Sequence, residues 1–72
     1  MGDIQELQQI AGRYPTSMTV EKLATAVYFQ LVAKYGYGKA HAATLNSRYL
    51  EYNGSDYQFI KRSSGWEVKK YR

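Results

Sequence analysis

Apolar positions are densest over residues 20–35, VEKLATAVYFQLVAKY, and they recur with the period of a helix. Val20, Leu23, Ala24, Val27, Leu31 and Tyr35 fall on one face, and Tyr28 and Val32 widen it. Ala26, Phe29 and Ala33 carry apolar character further round, so the pattern predicts a helix covered on more than one side. Thr19 suits its N-cap, Glu21 its positive first turn, and Gly36 its end. Upstream, Asp3-Ile4-Gln5-Glu6 has the form of a capping box. Ile4, Leu7, Ile10, Ala11 and Tyr14 then make a single apolar stripe. A helix over residues 4–13 is expected, weakened at Gly12 and closed before Pro15.

After a short corner at Gly36-Tyr37-Gly38, residues 39–52 again carry helical spacing. Ala42, Leu45, Tyr49 and Tyr52 form the stripe, with Ala43 and Leu50 beside it, and Asn53-Gly54 supplies a left-handed cap. The opposite side holds His41, Thr44, Ser47, Arg48 and Glu51. Beyond Asp56 the period drops to two, and residues 57–71 predict a β-hairpin around Ser63-Ser64-Gly65. Two registers fit. A four-residue loop, 62–65, pairs Phe59 with Val68 and Lys61 with Trp66, gathering Tyr57, Phe59, Trp66 and Val68 on one face. A three-residue loop, 63–65, pairs Ile60 with Val68 and turns both faces over. The expectation is one α+β domain over residues 1–72, with helices at 4–13, 20–35 and 39–52 followed by a C-terminal hairpin.

Composition narrows the possible functions. A chain of 72 residues has room for one small core, and with no cysteine it has neither disulfides nor thiolate metal sites. No apolar run approaches a membrane span and the opening residues lack a signal-peptide pattern, so a cytoplasmic protein without a membrane partner is expected. His41 is the only histidine, and no nucleophile, metal or phosphate-loop motif accompanies it. An enzyme, a metal site and a cofactor are therefore not expected.

The net charge of +4 changes the picture more, because it is uneven. Over residues 1–36 Arg13, Lys22 and Lys34 balance Asp3, Glu6 and Glu21. The excess lies in the tail, where Lys61, Arg62, Lys69, Lys70 and Arg72 face Glu67 alone. Basic flanks around a small Ser-Ser-Gly tip suit a nucleic-acid backbone, and lysines also protect an exposed sheet edge. Eight tyrosines add to this. Tyr14, Tyr28, Tyr35 and Tyr49 lie on apolar stripes, whereas Tyr37, Tyr52, Tyr57 and Tyr71 are candidates for contact with a partner.

The corner at residues 36–38, the helix at 39–52 and the basic hairpin together resemble the winged helix-turn-helix family in element order. The resemblance implies that the third helix enters the major groove and the hairpin lies on the backbone as a wing. Lys39, His41, Thr44, Ser47 and Arg48 would then face the groove, with Lys61, Arg62, Lys69 and Lys70 on the wing. A small regulatory or architectural module on duplex DNA, possible as a homodimer, is the reading this gives. Its rival is a small inhibitor or adaptor of the kind phages and mobile elements encode, which sets the same tyrosines and basic hairpin against an acidic protein surface. Single-stranded nucleic acid or RNA, with the aromatics as stacking platforms, is a third class of target.

Overall fold

The computed structural model describes residues 2–38, 40–42 and 49–71. Among them are two helices, α1 (Asp3–Ala11) and α2 (Val20–Tyr35), and four strands, β1 (Ala40–Ala42), β2 (Tyr49–Tyr52), β3 (Ser55–Arg62) and β4 (Gly65–Lys70). The strands form an antiparallel meander in the order β1-β2-β3-β4. Both helices pack on one face of it, α1 over β4 and α2 across β1, β2 and β3.

This overturns the expectation of three helices and a hairpin. The segment assigned to a third helix begins and ends as strand, with Ala40 opposite Tyr52 and Ala42 opposite Leu50. The spacing of Ala42, Leu45, Tyr49 and Tyr52 satisfies a helix. Tyr49-Leu50-Glu51-Tyr52 equally alternates, and the structure buries Leu50 and Tyr52 while leaving Tyr49 and Glu51 half-buried. Asn53-Gly54 decides between the two. Both residues have positive φ, 52° and 82°, which is what a two-residue hairpin turn matched to strand twist demands. The dipeptide is therefore the turn of the β2–β3 hairpin and not a helix cap. Among the described residues no third helix follows the corner, so the expected order of three helices and a hairpin is not met.

The first helix also starts differently from its motif. Gly2 is the N-cap, with no side-chain cap, and its carbonyl accepts from the amides of Gln5 and Glu6. Asp3 and Glu6 lie in the first turn, and Glu6 is directed away to the rest of the fold. Thr19 does cap α2, its hydroxyl accepting from the Lys22 amide at 3.2 Å, and Gly36 ends it at φ 84°.

The core joins Leu7, Ile10 and Ala11 of α1 and Leu23, Ala24, Val27 and Leu31 of α2 to the inner face of the sheet. That face consists of Ala40, Leu50, Tyr52, Tyr57, Phe59, Trp66 and Val68. The β3–β4 hairpin takes the register that pairs Phe59 with Val68 and Lys61 with Trp66. The alternative register would part Tyr57 and Phe59 from Trp66 and Val68 onto opposite faces, and the apolar area the four bury together selects against it. Trp66 is pinned further by an Nε1–H bond to the Pro15 carbonyl, 3.0 Å.

One end of the sheet is closed by a side chain. β4 is an edge strand, so Trp66 and Val68 direct a carbonyl and an amide away from β3. The Gln8 amide meets both: its Nε2 donates to the Trp66 carbonyl, and its Oε1 accepts from the Val68 amide at 3.0 Å. Gln8 thus stands in for one residue of a fifth strand.

Candidate binding surface

With both helices on one face, the alternation of β2, β3 and β4 places the other set of side chains on a face that no described helix covers. Tyr49 and Glu51 come from β2, Asp56, Gln58, Ile60 and Arg62 from β3, and Glu67 and Lys69 from β4, followed by Tyr71. Register sets them in rows: Tyr49 opposite Gln58 and Gln58 opposite Lys69, then Glu51 opposite Asp56, then Ile60 opposite Glu67. Tyr71 extends the Asp56 row, because its amide bonds the Asp56 carbonyl at 2.7 Å.

Tyr49 and Tyr71 meet across β3. Their ring centroids are 4.6 Å apart at an interplanar angle of 41°, and Tyr71 remains 51% exposed. The pair forms a stiff aromatic platform, two rings that hold each other in place while offering their outer surfaces. Lys69 adjoins it on the same face and Lys70 follows at the strand end on the other, both exposed and without an ion pair among the described residues.

The basic hairpin is organised less simply than its sequence. Alternation sends Lys61 and Lys70 to the helix side of the sheet, and Arg62 and Lys69 to the open side. Lys61 lies over the Trp66 ring, 5.4 Å from its centroid, and Arg62 is bonded to Glu67 through Nε at 2.7 Å. Among the described residues the open face carries Arg62 and Lys69 against three carboxylates, Glu51, Asp56 and Glu67.

Of the tyrosines singled out from the sequence, Tyr52 and Tyr57 are buried in the core, while Tyr37 is 79% exposed and Tyr71 belongs to the platform. Tyr49, read as a core residue of a helix, is the missed member; Asn53-Gly54 is the signal that would have moved it to a strand. His41 lies in β1 at the register position opposite Glu51. Lys39, Thr44, Ser47 and Arg48 lie outside the described residues.

A second polar cluster surrounds Glu6. Its Oε2 accepts from Lys34 Nζ at 3.1 Å and from the Tyr35 hydroxyl, and its Oε1 accepts from the Tyr52 hydroxyl at 2.7 Å. Partial burial alone would push the Glu6 carboxyl up. The hydrogen bonds from Tyr35, Tyr52 and Lys34, with the Lys34 charge, outweigh that and hold it below the ordinary value. Lys34 is raised by its bonds to Glu6 and Tyr35. Tyr52 is pushed far above the usual tyrosine value, by burial first and then by its bonds to Glu6 and Tyr35. These groups satisfy one another and tie α1 to α2 and β2, so the cluster is a structural joint. A cleft of about 740 Å³ beside it is lined by the start of α1 together with Lys34 and Tyr35.

Among the described residues, no group of three His, Cys, Asp or Glu side chains is placed to hold a metal ion, and no helix is long and apolar enough to cross a membrane. No protein-family model matches the chain, and no curated protein or solved structure matches it at a significant level.

Proposed function

We propose that the chain is a small cytoplasmic adaptor or inhibitor that acts by binding, setting the Tyr49–Tyr71 platform of its open sheet face against a protein surface whose carboxylates meet Lys69. The observation that carries this is the Tyr49–Tyr71 platform with Lys69 in the neighbouring row, on a sheet face left uncovered by both helices. Paired tyrosines supply a large contact at a small entropic cost, since each ring is already held by the other. Lys69 supplies attraction and orientation toward carboxylates.

Charge layout argues for protein over nucleic acid. A polyanion gains affinity from cations spaced along one track. Here the hairpin cations divide between the two faces of the sheet, and Glu51, Asp56 and Glu67 interrupt those on the open face. The described residues also hold no third helix to enter a duplex groove.

The test is a titration followed by amide shifts, with an aspartate- and glutamate-rich peptide containing aromatic residues as one probe and duplex and single-stranded DNA as the others. The peptide is expected to shift Tyr49, Gln58, Lys69 and Tyr71, and Tyr71→Ala to weaken its binding about tenfold, equivalent to ~1.4 kcal/mol. Steeply salt-dependent binding of either DNA, with shifts concentrated around Ser63 and Ser64, would replace the adaptor reading with a nucleic-acid one.

A further inference from the structure

The outward side of α2 is a second surface that no other described element covers. Residues 23–33 contain no charged side chain, yet only the inward stripe of this helix is buried. A helix whose circumference is mostly apolar, Thr25 and Gln30 apart, is normally enclosed on more than one side, and the described elements supply the sheet and α1 on one side only. Lys22, Ala26, Phe29, Ala33 and Gly36 follow one another along the outer side at alternating steps of four and three, the spacing of a coiled-coil seam. Phe29 is its centre, 56% exposed and braced by the Tyr28 ring at 5.3 Å, with an alanine one turn away on each side.

We infer that this seam is covered by a second copy of the same chain, with the two α2 helices antiparallel about a two-fold axis. A large residue flanked by two small ones is complementary to itself when reversed, so each Phe29 seats over the Ala33 of the other copy. Charge selects the same direction. A parallel pair sets Lys22 against Lys22, whereas an antiparallel pair moves them to opposite ends and brings each toward the C-terminal, negative end of the facing helix. An unrelated acidic partner gains little here, because Lys22 is the only cation on the seam and Lys34, at the edge, is already bonded to Glu6. The sheet lies on the far side of α2, so a dimer of this form leaves both Tyr49–Tyr71 platforms open. A seam of four helical turns is small for a protein interface, and a dissociation constant on the order of 100 μM is expected.

Sedimentation equilibrium from micromolar to millimolar concentration tests this. The mass is expected to rise from one chain toward two, while Phe29→Glu and, separately, Ala33→Glu stay at one chain with unchanged far-ultraviolet circular dichroism. Tyr71→Glu, on the opposite face, should associate like the parent. A parent chain that remains monomeric at millimolar concentration overturns the inference, as does a dimer that survives both seam substitutions. Should Phe29→Glu fail to fold, Ala33→Glu alone decides. Since Phe29 does not touch the platform, acidic-peptide binding by Phe29→Glu separates failure of this inference from failure of the adaptor reading.

Discussion

Two polar side chains of α1 do work that no local pattern announces. The Glu6 carboxylate receives donors from residues 28, 29 and 46 positions away, and the Gln8 amide receives partners 58 and 60 away. In the sequence Glu6 fits a capping box and Gln8 is one of several solvated glutamines, because spacing along a chain encodes only neighbours within a turn or two. Their effects are measurable. With its carboxyl below the ordinary value, Glu6 contributes stability that is complete above about pH 4.5 and is lost as pH falls through its lowered folded value. Lys34 and Tyr52 are raised, so their contributions are complete below their ordinary values and are lost as pH rises through the folded ones. Denaturant melts across the acid range should therefore show Glu6→Gln less stable than the parent by ~1–3 kcal/mol near neutrality, with the difference narrowing in acid. A constant difference down to the lowest pH would remove Glu6 as the titrating group. Gln8→Leu keeps the volume and strips the β4 edge of both bonds, so it should cost ~1–3 kcal/mol and speed hydrogen exchange at the Val68 amide above all others in β4.

At the level of elements, legibility followed the length and purity of the period. Sixteen residues of helical spacing with a Thr cap and a Gly stop made α2 readable to its bounds, and the alternation around Trp66 made the last hairpin readable to two registers. Residues 40–42 and 49–52 read as helix in the sequence because each of the strands found there is short, three and four residues, and a short strand shows too few alternations to compete with a helical stripe that spans them both. The Asn53-Gly54 dipeptide held the answer, since consecutive positive φ angles belong to a hairpin. The candidate surface inherited the error: the hairpin lysines and Tyr71 were identified, but Tyr49 joins them only once β2 is a strand. Gly54→Ala puts a β-carbon on a residue at φ 82° with open space around it, so the cost is backbone strain alone. A loss of ~1 kcal/mol in thermal or denaturant melts is expected, with the β2–β3 amides affected first.

For the molecule as a whole, the question is whether two helices attached to different strands unfold as one body. α1 rests on β4 and α2 on β1 to β3, an arrangement that would allow the α1–β4 side to open separately if the core were divided. It is not divided: Leu7 and Ile10 of α1 belong to the same buried cluster as Leu23, Val27 and Leu31 of α2, and Tyr52 is bonded across it to Glu6. Trp66, the single tryptophan, sits at the α1 side under the Pro15 carbonyl and reports on that region, whereas helical circular dichroism is dominated by the longer α2. Leu31→Ala removes a fully enclosed side chain from the α2 side and should cost ~2–5 kcal/mol, a large share of the stability of so small a domain. At ~4–8 °C per kcal/mol for a domain of this size, the melting temperature falls by at least about 8 °C. Because the core is continuous, Trp66 fluorescence and circular dichroism should fall together in the variant, with one midpoint. A fluorescence transition left at the parent temperature while the helical signal melts early would show that α1 and β4 hold together without α2.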